Sequence, residues 1–158
     1  MTKVGKFELE DSQLGAGGYG IVVQATNCET GERVAAKMID KRKMKADAIE
    51  REVHLMQVLQ HPNVIAVRGQ VEMDRNICIF MELADKGELF GRVIQKGVLS
   101  EKEARPYFKQ LMEAVEFMHS EGVAHRDLKL VLVSSTPYLV YPLAKRVKGV
   151  MRVSPVYV

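Results

Sequence analysis

The chain has 158 residues, 47% of them apolar and 27% charged, which is enough for a packed core in one or two small domains and excludes a disordered tail. The net charge of +3 is uneven: residues up to Asp127 carry −2, whereas those beyond it, with Lys129, Lys145, Arg146, Lys148 and Arg152, carry +5. Two cysteines, Cys28 and Cys78, exclude a disulfide framework or a cysteine-rich metal cluster, and no apolar run forms a signal core or membrane span. A soluble chain of the cytoplasm or nucleus with reduced thiols is therefore expected.

Taken in chain order, the first signal is a loosely alternating run from Phe7 to Leu14 that ends in glycines, as a strand entering a tight loop would. Tyr19 to Thr26 is rich in β-branched residues, Asn27 to Gly31 is turn chemistry, and Arg33 to Ile39 reads as a third strand. Three antiparallel strands in succession make a meander. From Asp47 to Gln60 the period changes: Ile49, Val53, Met56 and Leu59 recur at three- and four-residue steps, which predicts an amphipathic helix closed by His61-Pro62-Asn63. Val64 to Val71 and Ile77 to Leu83 predict two further strands, giving five strands and one helix.

A helical unit is predicted next. Glu88 to Lys96 is a short helix that Gly97 ends, and Ser100 with Glu103 is a capping box for a longer one. Ala104, Phe108, Leu111, Val115 and Met118 give that helix one apolar stripe, Pro106 sits early in it, and Gly122 is a C-terminal stop. From Ser134 to Val158 the pattern dissolves, and no structure is assigned. A basic tail could favour nucleic acid or anionic lipid, but without aromatic platforms or a binding motif a solvated segment is the expectation.

Chemistry enters at Gly15-Ala16-Gly17-Gly18-Tyr19-Gly20-Ile21-Val22, a G-x-G-x-x-G-x-V run. Glycines let backbone amides approach phosphate oxygens closely. A glycine-rich hairpin without function would look much the same. A dinucleotide fingerprint should lead into a helix, yet a strand follows here, and the Gly-Lys-Ser/Thr of a P-loop is absent. Val34-Ala35-Ala36-Lys37 places a lysine on the third strand, two strands on from the glycine loop, where its ammonium could reach two phosphates. Glu52 lies on the helix beside Leu55, Met56 and Leu59, and a carboxylate on an apolar face needs a partner, for which Lys37 is the natural candidate. His125-Arg126-Asp127-Leu128-Lys129 follows downstream. His54 and His119 read as solvated helix histidines, His125 as a packed one, and Met56 and Met118 as core. Lys41-Arg42-Lys43 reads as a solvated turn rather than a localisation signal.

From about Phe7 to Leu130 this order of motifs resembles eukaryotic protein kinases of the Ser/Thr type. The resemblance implies an α+β fold: a five-stranded antiparallel N-lobe with one helix and a hinge over residues 7–84, an incomplete helical C-lobe over 85–133, and a divergent basic tail over 134–158. It implies ATP as cofactor, with Gly15, Ala16, Gly17, Gly18, Tyr19 and Gly20 around the phosphates and Val22 and Ala35 covering the adenine. Met81 would be the gatekeeper, the backbone of Glu82 and Ala84 would meet the adenine edge, and Glu88 would reach the ribose. Lys37 and Glu52 would pair, Asp127 would accept the proton of the substrate hydroxyl, and Lys129 would neutralise the transferring phosphoryl group. A protein substrate or partner is implied.

The sequence also departs from the family. Magnesium is expected, held by an Asn shortly after Asp-Leu-Lys and by an Asp-Phe-Gly. Here Leu130, Val131 and Leu132 follow Lys129, with or without a two-residue deletion, and no Asp, Glu, Asn or Gln occurs after Asp127. Magnesium takes hard oxygen ligands, so no metal site is predicted and phosphoryl transfer by this chain alone is expected to fail. The later large-lobe helices are not present either, so the side of the Ala104–Met118 helix that they would cover should expose apolar surface able to drive association. Three readings stand: a kinase completed by metal ligands from another chain, a non-catalytic nucleotide-binding or interaction module, and an aberrant splice or gene-model product of an active kinase.

Overall fold

A computed structural model describes residues 2–17, 20–43, 46–84, 89–125, 128 and 145–146, with the backbone alone at 17, 46, 52, 145 and 146. The chain divides into two compact units, one formed by Met1–Val58 and Ala66–Asp85, the other by Leu59–Ile65 and Lys86–Val158.

The first unit is built on a six-stranded antiparallel sheet. Its strands are β1 (Thr2–Val4), β2 (Phe7–Gly17), β3 (Gly20–Asn27), β4 (Arg33–Asp40), β5 (Val67–Glu72) and β6 (Asn76–Glu82), in the order β1-β2-β3-β4-β6-β5. The meander β2-β3-β4 is as the sequence predicts, but the sheet has six strands rather than five. The additional β1 pairs Val4 with Phe7 across a two-residue turn. Three residues are too few to display alternation, and only the burial of Val4 betrays the strand.

Side chains alternate across each strand, so every second residue shares a face. One face carries Phe7, Leu9, Val23, Ala25, Val34, Ala36, Cys78 and Phe80, all buried in a single cluster with Val4. The Phe7 and Phe80 rings stack with centroids 3.8 Å apart. A Cβ on Gly69 in β5 would lie 3.2 Å from the Phe7 ring, so the edge strand β5 comes back against β2 and the sheet curls around its own core. The turn between β3 and β4 is held by the Asn27 side chain, whose Oδ1 accepts from the Glu29 amide at 2.9 Å. Helix α1 (Ala46–Val58) buries Ile49, Val53 and Met56 at the predicted spacing. The Lys41–Lys43 turn is solvated, with Arg42 on the Asp40 carboxylate at 2.7 Å and Lys41 on Glu72 at 2.6 Å.

The second unit contains α2 (Leu89–Lys96), α3 (Glu101–Ser120) and a short antiparallel pair, β7 (Val123–Ala124) with β8 (Lys145–Arg146), the latter in a stretch to which the sequence assigned no structure. Both predicted helix stops hold: Gly97 and Gly122 adopt φ of 84° and 71°, the left-handed geometry a side chain would strain. The capping box forms, the Glu103 carboxylate accepting the Ser100 amide at 3.1 Å and the Ser100 hydroxyl at 2.7 Å. The first helical bond runs from the Ala104 amide to the Ser100 carbonyl, so Pro106, two residues further on, removes a bond that the helix would otherwise make.

The buried stripe of α3 differs from the predicted one. Tyr107, Ala114 and Met118 are buried with Leu111 partly so, whereas Phe108 is 63% exposed. Tyr107 and Phe108 are adjacent, and either completes a helical period with Leu111 and Met118; packing against Leu89 and Val93 selects Tyr107. The segment before Ala66 is anchored to α3 within the same unit. His61 stacks on Phe117 at 5.0 Å, its Nδ1 accepts the Asn63 amide at 3.1 Å, and Asn63 Nδ2 donates to Glu113 at 3.0 Å. Among the described residues, no helix is long and apolar enough to cross a membrane.

Candidate functional site

The candidate residues of the first unit converge through strand register. In β3 and β4, Val22 lies opposite Lys37, and on the other side of β4, Ala35 lies opposite Met81 and Lys37 opposite Ile79. Directly opposed residues share a face, as do residues two apart on one strand. Gly15 in turn lies opposite Val22. Gly15, Val22, Ala35, Lys37 and Met81 therefore occupy one face of the sheet, the side away from the Phe7–Phe80 core.

That face is graded in burial. Ile39 and Ile79 beside Lys37 are fully buried, Ala35 and Met81 nearly so, and Val22, Lys37 and Gly15 are half-buried. Lys37 is thus half-buried among apolar neighbours on this face. Gln24 and Thr26, further along the same face, hold the Glu10 carboxylate at 2.7 and 3.2 Å, and Gln24 accepts from Arg33 at 2.8 Å. This polar ladder ties β2, β3 and β4 together at the end remote from the glycines.

The glycine run forms a hairpin. Ala16 pairs with Ile21 and Gly17 with Gly20, and Gly18 and Tyr19 lie outside the described residues. Register shifts between Leu9 and Gly15 mark irregular pairing just before the turn. Glycine has different work at the two ends. A Cβ on Gly15 would meet nothing within 4 Å, whereas one on Gly20 would fall 1.8 Å from the Met38 carbonyl oxygen. Sequence inspection groups both with the phosphates; the strand contact of Gly20 depends on a register that no local signal reveals.

Glu82, the last residue of β6, and Ala84 beyond it are half-buried, and the Glu82 amide donates to the Ala66 carbonyl at 2.9 Å. Glu52 lies in α1, of which its backbone alone is described. Glu88, Asp127 and Lys129 lie outside the described residues. His125, just before Arg126 and Asp127, is buried as expected, and it follows directly on β7.

A glycine hairpin, then a lysine strand, then His-Arg-Asp occur in order in one chain, and residues 9–136 match the protein kinase domain. The chain belongs to the protein kinase family. The match extends six residues past Leu130, further than the motifs alone indicate. Curated relatives are Ser/Thr kinases. The chain is 44% identical over 131 residues to the CBL-interacting serine/threonine-protein kinase 26 of Arabidopsis thaliana, covering 80% of this chain and 30% of that protein. It is 45% identical over 134 residues to the CBL-interacting serine/threonine-protein kinase 8 of the same plant, covering 82% and 30%. To the probable serine/threonine-protein kinase fhkD of Dictyostelium discoideum it is 42% identical over 121 residues, covering 73% and 16%. The chain spans less than a third of the length of these relatives.

Protein kinases in general use ATP and a divalent metal, and this kinase domain can be tested against each group. The nucleotide fits: open space beside Gly15 admits a phosphate, Lys37 offers a cation, and half-buried Val22 with Ala35 offers an apolar cover for a flat ring. The donor set for a metal is different. In the kinase pattern its ligands follow Asp127, and there the chain offers hydroxyl and backbone oxygens without one carboxylate or side-chain amide.

Proposed function

We propose that this kinase domain binds ATP through its sheet unit and, as a single chain, does not transfer the phosphoryl group. The observation that supports this most directly is the shared sheet face of Gly15, Val22, Ala35, Lys37 and Met81, set beside a sequence without metal ligands after Asp127. In this reading residues 7–84 hold the nucleotide. Residues 85–133 supply the catalytic-loop segment, and residues 134–158 add nothing to the metal site.

Each residue has a bounded task. Amides of the Gly15–Gly20 hairpin and the Lys37 ammonium take the phosphates, and Glu52 orients Lys37. Val22 and Ala35 pack on the adenine, Met81 limits the depth of its pocket, and Glu88 receives the ribose. Because the Glu82 amide is already bonded to Ala66, Glu82 offers the adenine edge its carbonyl, and Ala84 offers the next backbone group. Asp127 orients a substrate hydroxyl and Lys129 stands by the phosphoryl group, yet the charge that magnesium would neutralise stays uncompensated. No transfer step is therefore assigned to the isolated chain. The test is phosphate incorporation into a generic Ser/Thr substrate by the purified chain: none is expected, and incorporation abolished by Asp127→Asn would refute the reading.

A second reading, capture of a protein partner, rests on exposed Phe90, Ile94, Phe108 and Met112 in the helical unit. Several relatives are named for interaction with CBL proteins, which agrees in kind with a partner-binding role without specifying the surface. Partner capture that survives Lys37→Ala would favour this alternative over nucleotide binding as the principal activity.

A further inference from the structure

We infer that Gly20 is a positioning residue for Lys37, fixing the distance between the glycine hairpin and that ammonium. The inference rests on the nucleotide reading above, in which Lys37 holds phosphates.

A Cβ at Gly20 would lie 1.8 Å from the Met38 oxygen, 2.9 Å from the Met38 carbonyl carbon and 3.3 Å from the Ile39 Cα. All three are backbone atoms, so no side-chain rotamer relieves the overlap. The Met38 carbonyl belongs to the residue next to Lys37, and Gly20 stands opposite Ile39 two residues before the Val22–Lys37 pair. Absence of a side chain at one position thus brings the start of β3 into contact with the strand that carries the lysine.

What yields on substitution follows from the sheet. β4 is hydrogen-bonded on both flanks, to β3 and to β6, with Lys37 opposite both Val22 and Ile79. Moving β4 would break two ladders, whereas lifting the first residues of β3 breaks part of one. Gly20→Ala therefore displaces the hairpin from Lys37 while leaving β4, β5 and β6 paired. Gly15 has no such contact, so the two described ends of the motif divide the work. Gly15 leaves room for the ligand, and Gly20 sets the strand spacing.

The test is a double-mutant cycle on ATP affinity, measured by calorimetry on the full 158-residue chain, for Gly20→Ala, Lys37→Ala and the pair. Lys37→Ala should weaken binding about tenfold or more, as loss of a charge-assisted bond does. Gly20→Ala should weaken it by a similar factor, and the double variant should be no worse than either alone, because both remove the same contact. Hydrogen exchange should show lost protection at residues 20–23 and their β4 partners, with β5 and β6 unchanged. Additive losses, an unaltered affinity in Gly20→Ala, or global unfolding of that variant would each overturn the inference; the last would make Gly20 a determinant of the fold. An unaltered affinity in Lys37→Ala would instead sink the nucleotide reading on which the inference stands.

Discussion

The two units of this kinase domain cover their apolar surface to different degrees. In the sheet unit the long side chains of one face close on each other, and Leu14, Ile21 and Val58 are the large apolar residues left exposed among those described. Among the described residues of the helical unit, Phe90, Ile94, Val98, Phe108, Met112 and Leu128 are exposed. A curled sheet can fill its own interior, whereas an amphipathic helix buries one stripe and leaves its other side to be covered or solvated. The sheet unit is therefore the part that can support a preformed ligand face.

The largest expected effect breaks that contrast from the sheet side. Phe80 is fully buried and stacked on Phe7, so Phe80→Ala should cost about 3–5 kcal/mol by denaturant titration and abolish ATP binding. A loss of only a few tenths would mean that the sheet does not hold its own core. On the helical side, Met118 is fully buried, and Met118→Ala should cost about 2–5 kcal/mol, toward the lower end if the site collapses around the cavity. Circular dichroism should show helix signal lost first.

How much of this was legible in sequence follows the range of each signal. α1, the capping box at Ser100 and Glu103, and the stops at Gly97 and Gly122 are local, and each stands where the sequence predicts it. β1 is too short to carry a period. The choice of Tyr107 over Phe108 is made by Leu89 and Val93, far along the chain from either neighbour. For the candidate site, motif order supplied the residue types, but the opposition of Val22 to Lys37 and of Ala35 to Met81 is a matter of register, as is the contact of Gly20 with Met38.

Smaller effects sharpen the contrast at the surface. Phe108→Gln with Met112→Gln should leave monomer stability within about 0.5 kcal/mol per site, since both side chains already face water. Sedimentation should show reduced self-association, and an unchanged profile would remove this face as an association surface.

The smallest effect is electrostatic. Lys96 and then Ser100 hold the Glu103 carboxyl down from 4.5 to about 2. A depressed carboxylate stabilises fully above its unfolded value, so helical-unit stability should be level above pH 4.5 and fall as pH drops toward about 2. Glu103→Gln should flatten that acid limb. The group is solvent-exposed, so the change is expected to be modest.

The central claim is a nucleotide cradle without a metal clasp, and calorimetric titration of ATP into the purified chain, with magnesium and with a chelator in its place, tests it most directly. The account predicts weak binding of equal strength in both, weakened about tenfold or more in Lys37→Ala. Binding that appears or tightens strongly only with magnesium would contradict it.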